Sequence, residues 1–590
     1  MKAPIRVANC SGFFGDRLSA AREMVSGGPI DVLTGDWLAE LTMLILARTR
    51  ARPAGVGYAR TFLTQMEEVL GTCLERGVKV VSNAGGLDPK GCAEALAQVC
   101  QRLGLTATIA FVDGDDLLSL DPSLAASLGV RHFATGENFD DLSRFLTANA
   151  YFGCFGIAEA LARGADVVVT GRVTDAALVC GPAAWHHGWG PDDLDALAGA
   201  VVAGHVVECG AQVTGGNYSF FSELSGMEHV GFPWVEVAAD GSSVVGKHDG
   251  TGGEVSVATV TSQLLYEIGG PAYEGPDVTA RFDTIELTQL AKDRVAISSV
   301  RGEPPPATLK VALNEVGGYR HDLVVALTGL DIEEKAACVE AAFWRASPHG
   351  PEEFAQVRSR IVRTDKPDPS TNEEAIATWR LTLKDPDGDK VGRAVADSVV
   401  ALALASVPGF FIPGSGPSGG APFGVYRPGL VARELVPQYV TVLGGARTRL
   451  DAASPRGAPP TLDDPPRVST AAPDGAPDAT VRVPLGKLVG ARSGDKGGDA
   501  NVGVFARRAD VWRWLDEYLD VETLRRLLPE VAGRPVERYR LPRLWALNFV
   551  VRGLLDEGVA ASTRYDAQAK GLGEWLRSRF VDVPLSLVDP

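Results

Sequence analysis

One local grammar recurs five times in the first third of the chain and restricts the fold more than any other feature. An apolar run of strand length ends in a polar turn bearing glycine or aspartate, and helical periodicity follows. The five segments are "IRVANCSGFFGDR", "IDVLTGDWLAELTMLILA", "VKVVSNAGGLDPKGCAEALAQVC", "TATIAFVDGDDLL" and "ADVVVTGRVTDAALV". Strands that alternate with helices predict a mostly parallel sheet covered by helices. In such sheets the turns after the strands gather at one edge, where ligands bind.

The grammar changes near residue 205, where Gly-rich connections such as "AGHVVECGAQVTGGNYSFF" and "KHDGTGGEVSVATVTSQLLYEIG" begin. At 590 residues the chain is too long for one core. The expected layout is an α/β domain over 1–230 and an α+β second domain over 231–450. In the latter, "IVRTDKP" and "ATWRLTLKD" read as strands and 391–406 as a helix. The run "VVALALASVPGFFIPG" (399–414) is too short to span a bilayer and reads as a buried helix. Residues 451–480 are dense in Pro, Ala, Asp and Gly and read as a tether that cannot form a core. The unit that follows, 481–590, has strands near 481–490, 501–507, 535–541 and 545–551. Helices over 510–531 and near 566–580 complete an order that fits a ferredoxin-like α+β domain.

Charge and cysteine usage then narrow the function. A formal net charge of −17 argues against nucleic acid or an anionic membrane as partner, because both repel such a chain at long range. Eight cysteines without a C-x-x-C pair indicate neither a disulfide framework nor a zinc ribbon, and fit a cytoplasmic protein with reduced thiols. The start "MKAPIRVANCSG" runs into a strand without the apolar stretch of a signal peptide.

Seven blocks in order carry a resemblance: "NCSGFFGDR", "DVLTGDWLAELTM", "SNAGGLDPKGC", "YFGCFGIAEALARGADVVVTGRVTDAALV", "AGHVVECGAQVTGGNY", "KHDGTGGEVSVATVTSQLLYEIG" and, after the tether, "ARSGDKGGDANVGVFAR". Together they resemble the acyclic terpene utilisation (AtuA-like) family, up to about residue 450 and again over the C-terminal domain. The resemblance implies a place in branched or isoprenoid acyl-CoA catabolism, with coenzyme A as part of the substrate and no further cofactor firmly implied. It supplies no agreed reaction and no catalytic residues, so these are read from the chain itself.

The hairpin-like "KLVGARSGDKGGDANVGVFARR" places Gly494, Gly497 and Gly498 beside Arg492, Asp495 and Lys496 on a loop. Exposed N–H groups and cations there suit a phosphate or carboxylate. Arg492, Ser493, Asp495, Lys496 and Asn501 are therefore candidate substrate-binding residues. The structural alternative is a tight connection whose charges pair with one another. The turns holding Asn9 and Ser11, and Asn83, Gly85 and Gly86, match neither the dinucleotide fingerprint nor a Walker A loop. Taken together at one sheet edge they would offer backbone donors to a thioester enolate or oxyanion.

Asp36 and Glu40 are read four apart on one helix face at its N-terminus, and Arg172 and Asp175 three apart at another helix start. Asp36 and Asp175 are thus either N-caps or acid–base groups. His205 and Glu208, three apart, would face the same way on a helix and could share a proton or ligate a metal. His248, with Lys247 and a Gly turn, is the remaining catalytic candidate, and Arg172 and Lys247 are expected to bind substrate by meeting its carboxylate or phosphates. His186 and His187 are assigned no chemistry. The leading expectation is an enzyme acting on a small-molecule branched acyl-CoA, as a hydratase/dehydratase or carbon–carbon lyase, and homo-oligomeric. The alternatives are a non-catalytic partner of a carboxylase or other pathway enzyme, and a metal-dependent hydrolase or lyase using a divalent metal at Asp36, Asp175, His205 and Glu208. No separate metal site is read from the sequence.

Overall fold

The computed structural model describes residues 2–121, 124, 127–414, 416–450 and 479–588. It is a mixed α/β structure. The five repeated segments become five parallel strands: β1 (Ile5–Asn9), β2 (Val32–Gly35), β3 (Lys79–Ser82), β4 (Ile109–Asp113) and β5 (Val167–Thr170). Their order is β1-β2-β3-β5-β4, every neighbouring pair parallel. β5 is buried along its whole length, as "VVVT" requires of a strand covered on both faces.

The sheet is parallel only at this centre. Pro233–Val237 pairs antiparallel with β1 and continues through Ser243–Lys247, Arg294–Ser298 and Glu286–Ala291. On the other side Gln438–Val442 pairs antiparallel with β4 and then with Arg447–Leu450, giving eleven strands. The "mostly parallel" expectation therefore gives way to a parallel centre with antiparallel flanks. Antiparallel neighbours need no crossover helix, and the hairpins Pro233–Val237 with Ser243–Lys247 and Glu286–Ala291 with Arg294–Ser298 extend one flank.

Two apolar cores lie on the sheet. One holds Val7, Val32, Val81, Val112 and Val168 with the helix Leu194–Val207; the other holds Ala8, Leu33, Val80, Phe111 and Val169 with the helices Arg60–Arg76 and Pro89–Leu103. Alternate residues of each strand point to opposite cores. The helix Leu194–Val207 is buried from Ala196 onward, so its polar member His205 is sealed inside. In "LDPKG", Asp88 caps its helix by accepting from the Gly91 N–H at 2.8 Å, with Pro89 in the first turn.

The C-terminal domain is a four-stranded antiparallel sheet, ordered Val489–Lys496, Asp499–Ala506, Ala546–Val551, Val536–Leu541, with helices Ala509–Tyr518, Val521–Leu527 and Leu572–Ser578. Its first strand runs through Lys496, so Gly494 belongs to the ladder opposite Asn501. The expected loop is a tight hairpin turn at Gly497 (φ +64°) and Gly498. This domain lies in one compact unit with 1–314 and 426–450. The second unit, 315–425 with 560–565, is a sheet of Gln356–Val362, Ile376–Asp385 and the outer half of Thr308–Thr328, packed on Ile332–Ala346 and Arg393–Val400 through Val325, Phe343 and Trp379.

The helix expected over 391–406 stops at Val400, and the buried helix expected over 399–414 does not form. Leu404 is fully exposed, and Pro408 and Gly409 (φ +80°) turn the chain. Apart from 479 and 480, the tether segment lies outside the described residues. Among the described residues, no helix is long and apolar enough to cross a membrane.

Candidate active site at the parallel strand ends

The turns after the parallel strands carry Asn9, Asp36, Asn83, Asp115 and Arg172 to one edge of the sheet. Asp36 and Glu40 do not share a helix face. The helix begins at Glu40, and Asp36 sits in the preceding loop, where Oδ1 accepts from Asn83 Nδ2 at 2.5 Å and from the Leu38 N–H at 3.0 Å. Asp175 likewise precedes its helix, which starts at Ala177. The N-cap positions belong to Ala39 and Ala176, so neither carboxylate is an N-cap.

Arg172 is the hub. Its guanidinium donates to Asp175 Oδ1 at 2.6 Å and to the Leu38 carbonyl at 3.3 Å, and lies 4.2 Å from the ring centroid of Tyr151. Tyr151 donates its hydroxyl to Glu40 at 3.1 Å, and Lys310 reaches the same oxygen at 3.2 Å. Burial works to raise the Glu40 carboxyl, but Lys310 and Arg172 outweigh it and hold it at about 2. Asp36 goes the other way: burial and the nearby Asp175 raise it well above the usual carboxylate range, against the pull of Arg172. Asp175 is also raised by burial, with Arg172 opposing. Its side chain keeps 31% of its accessibility, so water reaches it.

His205 and Glu208 meet as the spacing implies, with Nδ1 3.0 Å from Oε1. The approach is off hydrogen-bonding alignment, and both ring nitrogens and Glu208 Oε2 are otherwise unpartnered. The imidazole packs on Tyr273 and Phe282. Burial lowers it to about 4 and raises Glu208 well above its ordinary value. Near neutrality the imidazole is therefore neutral, and burial favours the protonated form of the carboxyl beside it.

The C-terminal hairpin completes the cluster. Lys496 donates to the Glu267 carbonyl at 2.9 Å, and Glu267 itself holds a left-handed φ of +56°. Burial, then Lys310, lowers the Lys496 ammonium. Burial, then Glu267 and Glu40, raises Asp495 to about 7. These influences put the hairpin within electrostatic reach of the parallel strand ends. Arg492 bonds Gln212 and lies 4.3 Å from the Tyr266 ring centroid. A Cβ at Gly494 would fall 2.5 Å from Tyr266, so only glycine lets that ring approach.

Other candidates serve as framework. Asn9 spends its amide on the Val207 and Glu208 carbonyls and accepts from the Ser11 N–H, which fixes the His205 helix end. The Ser11 hydroxyl donates to the Phe13 carbonyl. Asn83 supports Asp36 and accepts from the Trp37 N–H. Gly85 and Gly86 form a tight turn against the Thr170 carbonyl and Leu46. Ser493 is sealed between the Ala569 carbonyl and the Gly573 N–H. Asn501 joins the Leu265 carbonyl, the Glu267 N–H and Asn548, docking the C-terminal sheet.

His248 and Lys247 are not brought to the cluster. His248 contacts the Met24 carbonyl, and Lys247 donates to the Thr251 carbonyl near Asp293.

Sequence reasoning missed Tyr151, Lys310, Tyr266, Glu267 and Asp115 as site members. Asp115 is buried beneath Arg172, accepting its backbone N–H at 2.9 Å and the Asn149 amide at 2.8 Å; burial raises it to about 7. A Cβ on Gly171 would lie 2.2 Å from its Oδ1. Tyr151, Tyr266 and Glu267 fall within blocks that carry the resemblance, whereas nothing in the pattern around Lys310 sets it apart. Among the described residues no group of three or more His, Cys, Asp or Glu could hold a metal ion.

A family model described as acyclic terpene utilisation family protein AtuA matches residues 5–442, and one described as AtuA ferredoxin-like domain matches 483–582. No curated protein and no solved structure gives a match.

Proposed function

This chain belongs to the acyclic terpene utilisation family, and from that premise we propose that it is an enzyme acting on the coenzyme A thioester of a branched acyl group. The reaction is acid–base addition or elimination, of the hydratase/dehydratase or carbon–carbon lyase kind. One observation carries the reading: Asp36, Asp175 and Glu208, all raised by burial, converge with Arg172, Lys310 and Lys496 at the strand ends.

Such a site suits a thioester whose carbonyl oxygen gains charge in the transition state. Lys310 and Lys496 are the cations for that oxygen. Asp175, water-accessible and raised, exchanges the proton. In a dehydration, base takes the α-proton and acid protonates the departing β-hydroxyl. In a lyase step, base takes the β-hydroxyl proton and the Cα–Cβ electron pair moves onto the thioester as its enolate. His205 and Glu208 lie behind, 3.0 Å apart, as a buried pair that can hold a proton.

The test is incubation of purified protein with branched 3-hydroxyacyl-CoA and 2-enoyl-CoA thioesters, with and without a chelator, followed by mass spectrometry. Gain or loss of water, or chain cleavage, is expected and should disappear in Asp175→Asn. Unchanged thioesters with folded protein would overturn the reading. Activity lost only with the chelator would favour the divalent-metal alternative.

A further inference from the structure

A recess of about 240 Å³ is lined by Tyr218, Ser219, Phe221, Arg492, Lys570 and Glu574 among others. Its two cations flank one ring: Arg492 lies 4.3 Å and Lys570 4.6 Å from the Tyr266 centroid, and Lys570 bonds the phenol oxygen. Among the described residues neither has a carboxylate within ion-pair distance. Of the lining residues Glu574 carries the carboxylate, and it is engaged by Arg577 at 2.7 Å and by the Ser219 hydroxyl at 2.9 Å.

An arginine and a lysine beside one hollow form a local basic spot in a chain of net charge −17, which favours an anionic group there. Phe221 stays 60% exposed beside them, offering a flat apolar face. The volume is below the roughly 300–1,000 Å³ of sites that hold a whole ligand. It suits one end of a longer molecule whose other end lies elsewhere. Tyr266 leads inward to Glu267, whose carbonyl holds Lys496, so the recess adjoins the acid–base cluster.

Resting on the acyl-CoA reading above, we propose that this recess binds the phosphorylated adenosine end of the substrate. Arg492 and Lys570 meet phosphate, and Phe221 stacks on the base. The acyl end is thereby directed past Tyr266 toward Asp175.

The test uses the full chain with adenosine 3′,5′-bisphosphate as probe, by calorimetry and thermal shift, with inorganic phosphate as a separate arm. Binding is expected to the wild type, weakened about tenfold or more in Lys570→Gln, whose exposed side chain makes misfolding improbable, and in Arg492→Gln. Inorganic phosphate at equal concentration should not reproduce the shift; an equal shift would reduce the recess to a bare anion site and overturn the nucleotide assignment. No bisphosphate binding, or unaltered binding in folded Lys570→Gln, overturns the proposal. Acyl-pantetheine thioesters separate the two readings. Their turnover without bisphosphate binding sinks the recess and leaves the chemistry standing; bisphosphate binding without turnover of any thioester does the reverse.

Discussion

Lys496 donates from Nζ to the backbone carbonyl of Glu267 at 2.9 Å, which brings a cation of the C-terminal hairpin to the cluster at the ends of the N-terminal parallel strands. Replacing it tests whether that cation acts on substrate. Lys496→Ala should lower kcat/KM by about 100-fold, as loss of one charge-stabilising donor does. Folding stability should move by no more than about 1 kcal/mol, the net worth of one hydrogen bond. Activity falling only in step with stability would make Lys496 a structural tie.

Asp115 fixes a pH dependence. Its folded value, about 7, lies above its ordinary 3.8, so the folded state binds the extra proton. Stability should therefore fall as pH rises from about 4 to about 7 and level off above, by at most about 4 kcal/mol. Asp115→Asn should flatten that slope in urea titrations across the range. An unchanged slope would assign the dependence to other groups.

For His205 the sign is opposite. A folded value near 4 against an ordinary 6.5 means its contribution is full above about 6.5 and is lost as pH falls toward 4. Nitrogen NMR at about pH 6 should show this ring neutral. Glu208→Gln keeps the shape and removes the exchangeable proton, so stability should hold while kcat drops by about 10²-fold or more. A protonated ring at that pH would refute the neutral imidazole.

Asn501 bears on docking. Asn501→Ala leaves the Leu265 carbonyl and the Glu267 N–H without their partner, at a cost of about 1–3 kcal/mol for each buried group left unpaired. Limited proteolysis should then release the C-terminal domain faster than in the wild type. Gly494→Ala tests the same seam from the other side, since its methyl would displace Tyr266; a loss of about 1–3 kcal/mol is expected.

The five parallel strands were legible because each is a short apolar run closed by a turn, and local pattern alone fixes such units. The antiparallel flanks were not, since Pro233–Val237 finds β1 across more than 200 residues, which no local period encodes. His205 and Glu208 were readable because a helix maps three-residue spacing onto one face. Asp36 and Glu40 misled because the helix starts at Glu40, four residues later than the periodicity suggests. Tyr151 and Lys310 meet Glu40 only through tertiary packing, and Lys496 could be suspected but not placed. His248 had the composition of a site residue, yet its ring is used up against the Met24 carbonyl.

The hairpin that carries Lys496 also bears on the order in which the chain is made. During synthesis the parallel strands and their carboxylates leave the ribosome first, and the lysine of the far hairpin follows only after almost everything else. A nascent or prematurely terminated chain thus has its cluster uncovered and one cation short. The cluster in this architecture is complete only once the late-made hairpin has docked.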